Sequence, residues 1–341
     1  MHTIKAEHTL THLYGKDFLS LKDVSPSDIN ALLTEASLLK QHPIQPIFQG
    51  KTLAMIFEKS STRTRVSFEA GMAQLGGTGL FLSSSDLQLG RGETVADTAK
   101  VLSGFVDAIM IRTFEHEKVE ELAEHADIPV INGLTDRYHP CQALADLLTI
   151  QEIKGKLKGV KAAYIGDGNN VAHSLMIGCA KMGCDIAIAS PKGYEVEEEA
   201  VNAAKEAAAV SGAKITLTEN PQEAVRDADV IYSDVFTSMG QEEETQQRLN
   251  VFAPYQVNAS LVSLAKPDYT FLHCLPAHRE EEVTSEIIDG PNSAVFQQAE
   301  NRLHAQKALL KALLYKQDEQ KNPLNLIQRF LIFLRIQAHT T

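Results

Sequence analysis

The sequence predicts an α/β protein made of two doubly wound parallel-sheet domains with a cleft between them. Three observations favour this fold. The chain has 341 residues, about twice the length of an average domain. Short apolar runs alternate with helical patterns along most of it, which is typical of βαβ units and parallel sheets. The alternation stops at the polar, glycine-bearing stretch KGKLKG (154–159) and then starts again, so we expect a hinge there.

The first half of the chain predicts four strands separated by helices. Runs such as TLAMIF (52–57) and DAIMIR (107–112) are short and apolar, as buried strands are. The predicted strands cover residues 52–57, 79–82, 107–112 and 128–132. The predicted helices cover residues 65–76, 94–105, 116–126 and 139–153.

The second half repeats this pattern. The predicted strands cover residues 160–166, 185–190, 214–218, 229–234, 270–274 and 294–297. The predicted helices cover residues 170–182, 196–210, 221–227 and 298–315. Ligands of open α/β sheets bind beyond the carboxyl ends of the strands, so polar residues that directly follow these runs are the candidates for a site.

Composition and charge limit the classes of function. A formal net charge of -12 disfavours nucleic acid or an anionic membrane surface as a partner. We see no run of about 18 apolar residues, so we expect no membrane span. The four cysteines fit neither a dense disulfide framework nor a paired C-x-x-C zinc site. We therefore expect a cytoplasmic protein in a reducing compartment.

The stretch FEKSSTRTR (57–65) joins a strand end to a helix start. The unpaired N–H groups and the dipole at a helix N-terminus suit a phosphate. Ser61, Thr62 and Thr64 can add hydroxyl donors, and Arg63 can bind phosphate oxygens through two hydrogen bonds. The alternatives are a capped helix with solvated arginines, or a nucleic-acid patch, which the acidic chain and the lack of interleaved aromatics disfavour.

Arg112, His139 and Gln142 stand at two further positions of this kind. Arg112 ends an apolar strand, where a guanidinium is costly to bury unless it meets an anion. A solvated strand end is the alternative. His139 and Gln142 lie three residues apart at a helix start, so both can face one small ligand and hold its carbonyl and amide. The alternative is a capped helix with two incidental polar residues.

The second half carries three motifs of its own. GDGNN (166–170) opens a helix, but Val171 stands where a dinucleotide-binding turn has its third glycine. Its asparagines can instead bind a carboxylate or an ammonium group. Asp234 ends a strand, where it can pair with an α-ammonium or cap a turn. In HCLPAHRE (273–280) a metal site is disfavoured because neighbours on a strand point to opposite faces, and Cys274 as a nucleophile would need a nearby base.

In this order, the motifs resemble those of the transcarbamoylase family, over roughly residues 10–315. They are STRTR (61–65), HPCQ (139–142), GDGNN (166–170), DVFTSMGQEEE (234–244) and HCLPAHR (273–279). The resemblance implies transfer of a carbamoyl group from carbamoyl phosphate to an amine, with no cofactor and no metal. It implies a carbamoyl-phosphate-binding domain, 1–153, completed by a C-terminal helix at about 298–320, and an amine-binding domain, 154–297. We expect the two long helices, 139–153 and 298–315, to bridge the domains.

The resemblance also implies which residues act. It places the phosphate on Ser61, Thr62, Arg63, Thr64 and Arg112. It places the carbamoyl group on His139, Gln142, Cys274, Leu275 and Arg302. In this family a loop reaches the site of a neighbouring subunit, which implies that Gln88, within 83–95, does so in a homotrimer or a multiple of trimers.

The loop after Asp234 resembles the ornithine type of the family. Asp234, Ser238, Met239 and Asn170 are thereby implied to bind L-ornithine, with Asp234 and Cys274 orienting its side-chain amine. The products would be L-citrulline and phosphate. The alternatives are a transcarbamoylase for another amine, such as putrescine, and a binding protein that has lost catalysis. Whether the reaction runs towards arginine synthesis or citrulline breakdown stays open.

One segment departs from the family. The hydrophobic extension 321–341 runs past the closing helix and holds apolar residues at dense, partly helical spacing. An additional helix on its own subunit, a contact that locks subunits together, and a tail derived from cloning or a frame change are the three interpretations.

Overall fold

Two separate parallel sheets form the framework of the computed structural model, which describes residues 10–84, 87–88, 92–238, 240 and 242–316. The first sheet consists of β1 (Thr52–Phe57), β2 (Thr78–Ser83), β3 (Ala108–Arg112) and β4 (Val130–Leu134), in the spatial order β2-β1-β3-β4. The helices of this half are α1 (Pro26–Gln41), α2 (Thr62–Gln74), α3 (Val95–Ser103) and α4 (His116–His125). A short 3-10 helix, Leu10–Leu13, precedes them.

Helix α5 (Pro140–Lys154) leads from β4 into the second sheet. This sheet consists of β5 (Lys161–Ile165), β6 (Asp185–Ala189), β7 (Ile215–Thr218), β8 (Val230–Ser233) and β9 (Thr270–His273), in the order β7-β6-β5-β8-β9. Its helices are α6 (Asn170–Met182), α7 (Glu198–Ser211), α8 (Pro221–Val225), α9 (Thr245–Phe252), α10 (Ala259–Val262) and α11 (Ser285–Ile288). All strand pairs named here are parallel, and the predicted fold class is confirmed.

Two long helices join the halves, as the sequence predicts. Helix α12 (Val295–Leu314) packs against α1, α2 and α5 and also touches β9 of the second sheet. Helix α5 packs against both α12 and α6. One continuous apolar core therefore includes Leu53 of β1, Leu147 of α5, Ile177 of α6 and Leu309 of α12.

Local capping explains where the helices of the site begin. The Ser61 hydroxyl accepts a hydrogen bond from the Thr64 backbone N–H, so α2 starts directly after the β1 strand and its short turn. The Asn169 side chain accepts from the N–H groups of Val171 and Ala172 and starts α6. In both cases a helix N-terminus is placed at the carboxyl edge of a sheet.

The strand predicted at 294–297 is wrong. Those residues form the junction to α12, whose first residue, Val295, is buried while Phe296 is 72% exposed. The apolar run therefore belongs to a helical turn with one face inward. A single bridge between Phe271 and Ser293 ends the pairing just before it. Helix α1 carries a capping box at Ser25, a signal from which it could have been predicted.

The predicted domain boundaries, 1–153 and 154–297, stay predictions. The extension 321–341 lies outside the described residues. In the part of the chain that the structure describes, we find no helix long and apolar enough to cross a bilayer.

Candidate active site

A cavity of about 840 Å³ lies between the two sheets. Its walls come from segments that follow six different strands: β1, β3 and β4 of the first sheet, and β5, β8 and β9 of the second. Both sheets therefore direct their carboxyl edges at one space, as expected of open α/β folds. Helix α5 contributes its first turn and α12 contributes Arg302.

Three guanidinium groups line the first-sheet side of the cavity: Arg63, Arg112 and Arg302. Within the described residues, none of the three forms an ion pair with a carboxylate. Arg112 is buried, and its Nε has no hydrogen-bond partner there. Burial, followed by the positive charges of Arg302 and Arg63, lowers the pKa of Arg112 to about 9. A concentration of unpaired positive charge beside the N-terminus of α2 favours an anionic ligand.

Arg302 ties this charge cluster to the residues around it. Its Nη1 donates to Gln142 Oε1 at 2.6 Å, and its Nη2 donates to Thr64 Oγ1 at 3.2 Å. Burial lowers the pKa of Arg302 from its usual value, and its Nε has no partner among the described residues. The side chain is thus held on two sides while one donor stays available.

His139 faces the same charges as a neutral group. Burial, followed by the fields of Arg302, Arg112 and Arg63, holds its pKa well below the usual value. Its Nδ1 has no partner among the described residues, while its backbone N–H donates to Ser174 Oγ at 2.8 Å. A neutral imidazole donates one hydrogen bond and accepts one, so it can donate to a carbonyl oxygen without adding a fourth positive charge.

On the second-sheet side, Asp234 is the carboxylate that faces the cavity after β8. Its Oδ1 accepts from Cys274 Sγ at 2.9 Å and from the Val235 N–H at 2.8 Å, and its Oδ2 accepts from Asn169 Nδ2 at 2.9 Å. Burial, followed by the charge of Asp234, raises the pKa of Cys274 well above its usual value. Cys274 is therefore a thiol donor rather than a thiolate nucleophile.

The turn after β9 is held by a buried histidine. His273 Nε2 lies 3.1 Å from Glu282 Oε1, and its Nδ1 accepts from the Leu275 N–H at 2.9 Å. Leu275 adopts a left-handed backbone with φ of 56°, an unusual conformation for a branched residue, and it lines the cavity. The histidine thus fixes the direction of the peptide group between Cys274 and Leu275.

Three potential metal ligands lie closer together in the structure than the alternation of side chains along a strand predicts. Ligand atoms of Asp234, His273 and Cys274 lie within 4.8 Å of one another, because Cys274 follows the end of β9 and is free of the alternation. Both ring nitrogens of His273 are, however, already engaged by Glu282 and Leu275. A second group of this type, His278, Glu281 and Glu282, lies partly at the surface.

The structure brings most of the predicted site residues into this one cavity. Those that line it are Ser61, Thr62, Arg63, Thr64, Arg112, His139, Gln142, Asn170, Asp234, Ser238, Cys274, Leu275 and Arg302. Gln88 is exposed and is not part of the wall. Met239 lies outside the described residues.

Several lining residues were not predicted. Lys59 is buried, forms an ion pair with Asp136, and places its Nζ 4.2 Å from the centre of the Phe114 ring. Lys59 stands two residues before Ser61, so its position after β1 was a usable signal. Asp136 and Phe114 carry no local pattern of this kind. His278 and Glu281 also line the cavity.

Comparison with known proteins gives a consistent result. A family model described as "Aspartate/ornithine carbamoyltransferase, carbamoyl-P binding domain" matches residues 16–152, and its "Asp/Orn binding domain" counterpart matches residues 158–313. An ornithine carbamoyltransferase of Bacillus subtilis is 82% identical over 322 residues, covering 94% of this chain and 100% of that protein. One of Anoxybacillus flavithermus is 66% identical, covering 89% of this chain and 98% of that protein.

Solved structures agree with these relatives. The ornithine carbamoyltransferase of Pyrococcus furiosus superposes with a TM-score of 0.87 at 57% identity, covering 89% of this chain and 98% of that one. An anabolic ornithine carbamoyltransferase of Campylobacter jejuni gives a TM-score of 0.82 at 45% identity, covering 86% and 97% of the two chains.

Proposed function

The chain belongs to the aspartate/ornithine carbamoyltransferase family, and from that premise we propose how its cavity carries out carbamoyl transfer to ornithine. The protein is an ornithine carbamoyltransferase: it joins the carbamoyl group of carbamoyl phosphate to the side-chain amine of L-ornithine, giving L-citrulline and phosphate in arginine biosynthesis. One observation carries this function. A single cavity combines three guanidinium groups that lack carboxylate partners among the described residues with the carboxylate of Asp234 on the other sheet.

We assign the phosphate of carbamoyl phosphate to the start of α2. Ser61, Thr62 and Thr64 supply hydroxyls, and Arg63 and Arg112 supply charge. Arg112 Nε has no partner in the described part of the chain, which supports this assignment, because a buried donor without a partner is costly until a ligand accepts from it. The helix N-terminus adds backbone donors that need no rearrangement when the anion arrives.

We assign the carbamoyl group to the space bounded by His139, Gln142, Arg302 and the turn at Cys274 and Leu275. As the amine attacks, negative charge develops on the carbonyl oxygen. Donors already fixed around that oxygen stabilise this charge more than they stabilise the substrate. Thr64, Arg112 and His139 are the donors we place there, and the depressed pKa of His139 supports a neutral hydrogen-bond donor.

The amine side is assigned to Asp234, Asn170, Ser238 and Met239, with Cys274 beside them. A lysine-like amine is neutral in only roughly 0.1% of molecules or less at pH 7, so the site must favour the free base. Its lone pair attacks the carbamoyl carbon, the carbon–nitrogen bond forms, and the bond to the phosphate oxygen breaks. The proton released from nitrogen passes to the departing phosphate, which leaves as hydrogen phosphate.

A substrate panel tests this function directly. With saturating carbamoyl phosphate, we expect kcat/KM for L-ornithine to exceed that for putrescine, aspartate or acetylornithine by about a hundredfold or more, because Asp234 and its neighbours are expected to recognise the amino-acid end as well as the amine. Carbamoylated product and released phosphate are both measured. A preference for putrescine would favour the alternative, a transcarbamoylase for another amine. If no amine led to phosphate release, the proposed carbamoyl transfer would be wrong.

We propose further that the enzyme is a homotrimer and that Gln88 completes the site of a neighbouring subunit. Two observations support this. Strand β2 lies at the edge of its sheet and exposes Leu80 and Phe81, and helix α2, which packs against it, exposes Val66. Gln88 follows β2, is exposed, and does not line the cavity of its own chain.

Subunit mixing tests the shared site. Gln88→Ala and Arg112→Ala chains are each expected to be nearly inactive. If neighbouring subunits share sites, an equal mixture reassembled from denaturant regains about a quarter of the wild-type activity, since one site in four then has both residues intact. Reassembled Arg112→Ala chains alone are the control, and mass photometry checks for three copies. A mixture no more active than its parents would show that Gln88 serves no neighbouring site.

A cytoplasmic location remains a proposal that rests on the sequence. The four cysteines, all free thiols in the structure, support it.

A further inference from the structure

A buried chain of hydrogen bonds runs behind the cavity and connects its two sides. From the first-sheet side, Arg302 donates to Gln142 Oε1, and Gln142 Nε2 donates to Asp146 Oδ1 at 2.8 Å. From the other side, Gln298 Nε2 donates to the same Asp146 oxygen at 2.7 Å, and Gln298 Oε1 accepts from the backbone N–H of His273 at 2.9 Å. The chain thus links the guanidinium cluster to the turn after β9.

Asp146 stands at the centre of this chain without touching the cavity. It is fully buried in α5 and is not part of the wall. Its Oδ1 accepts from both amides, while its Oδ2 has no partner among the described residues. Both glutamine amides therefore depend on one acceptor oxygen of Asp146.

That oxygen, together with the donors Arg302 and the His273 N–H, orients both glutamine amides. A flipped Gln142 would place its carbonyl oxygen against the carboxylate and its NH₂ against the Arg302 guanidinium, and both contacts would be repulsive. A flipped Gln298 would place its NH₂ against the backbone N–H of His273. With Asp146 present, only one orientation of each amide satisfies all of its partners. In that orientation Gln142 accepts from Arg302, and Gln298 accepts from the N–H of His273 before the turn at Leu275.

We propose that Asp146 is a positioning residue for carbamoyl transfer, which orients Gln142 and Gln298 so that Arg302 and the Cys274–Leu275 turn keep their places on the two sides of the reacting carbon. This inference rests on the proposed function of the cavity. Because α5 carries Asp146 and α12 carries Gln298, the same contact also fixes the two bridging helices relative to each other at the level of the site.

The protonation of the Asp146 carboxyl shows which property of this side chain the role requires. Burial is the main influence on Asp146 and raises the pKa of its carboxyl to about 7, with Gln142, Gln298, Arg302 and Tyr232 opposing the rise. The role needs one acceptor oxygen and no negative charge. An asparagine fits this need, because its carbonyl can take the place of Oδ1 while its NH₂ takes the place of Oδ2.

The test compares two substitutions at this position. Asp146→Leu keeps the branching at Cγ, with a somewhat larger side chain, and removes the acceptor, so we expect kcat to fall by about ten- to a hundredfold and the KM for carbamoyl phosphate to rise, since the site loses its alignment. Asp146→Asn restores the acceptor, and we expect its kcat within about threefold of wild type. An Asp146→Asn enzyme as impaired as Asp146→Leu would overturn the proposal.

A matched control separates positioning from packing. Asn301 of α12 donates to Thr149 of α5 at 2.9 Å, another buried contact between the same two helices that does not involve Gln142. Thr149→Val should therefore lower thermal stability without changing kcat or the KM for carbamoyl phosphate. If Thr149→Val impairs catalysis as Asp146→Leu does, helix packing explains both and the positioning role is wrong.

A combined substitution tests whether Asp146 acts through the two glutamines. If it does, adding Asp146→Leu to a Gln142→Leu/Gln298→Leu enzyme should cost no further activity, because the added change removes support for groups already absent. Independent, multiplying losses would contradict the proposal.

Should Asp146→Leu fail to fold, Gln298→Leu replaces it with the same expected fall in kcat, and wild-type kinetics of that variant would refute the role. Citrulline formation by the wild-type enzyme tests the proposed function separately.

Discussion

Replacing Arg112 by alanine is expected to lower kcat/KM for citrulline formation by about a thousandfold or more, which corresponds to roughly 4 kcal/mol of transition-state stabilisation. Arg112 is buried at the end of β3, and its Nε has no partner among the described residues until an anion binds. We expect Arg112→Lys to recover only part of the loss, because an ammonium lacks the planar pair of donors that matches a phosphate.

The stability of this variant should move in the opposite direction. In the absence of ligand, Arg112 is buried beside two like charges, so its removal is expected to leave the empty protein at least as stable as wild type. Inorganic phosphate should raise the Tm of wild type and leave that of Arg112→Ala nearly unchanged. Arg279→Ala is the control, since Arg279 belongs to the HCLPAHR motif but pairs with Asp289 at the surface. Near-normal turnover of Arg112→Ala would contradict the anion site.

Replacing Asp234 by asparagine is expected to lower kcat/KM for ornithine by about a hundred- to a thousandfold, with the KM for carbamoyl phosphate within about threefold of wild type. The carboxylate accepts from the Asn169 amide, the Cys274 thiol and the Val235 N–H. An asparagine would oppose at least one of these donors with an NH₂ group and would also remove the negative charge that an ammonium can meet.

The same strand supplies the control for that experiment. Asp229 precedes β8 at its other end, where it accepts from the Lys161 N–H and pairs with Lys266, away from the cavity. Asp229→Asn is expected to leave both KM values unchanged. Both substrates are varied in initial-rate measurements of released phosphate. If Asp234→Asn raised the KM for carbamoyl phosphate and left that for ornithine alone, the assignment of the two sides of the cavity would be reversed.

The sequence allows the fold to be predicted well because strand and helix periods differ clearly in this chain. The strands at 52–57, 107–112 and 185–190 are buried apolar runs, and each appears within one or two residues of its predicted bounds. The apolar run at 294–297 has the same composition but lies in the first turn of a helix, since four residues do not distinguish the two periods.

Site residues could be predicted where a local rule applies. Arg112 ends a strand, and Arg63 and Asp234 follow strands, of the two parallel sheets, and ligands of such sheets bind at these carboxyl edges. Arg302 lies within a long helix, where nothing local marks it, and only the resemblance to a family pointed to it. Asp146 is marked by neither, because its importance comes from two amides brought to it by the fold.

The position of α12 has a consequence for synthesis on the ribosome. This helix covers α1, α2 and α5 of the first half, and it also supplies Arg302. When α5 has been synthesised, roughly 140 residues remain to be made before α12 begins, which takes on the order of 10–30 s at bacterial rates of elongation. Throughout that time the nascent chain exposes the apolar surface that α12 will cover, and it has no complete anion site. We therefore expect chaperones to bind chains stalled after α5, and such chains to gain neither phosphate binding nor compactness until α12 is released.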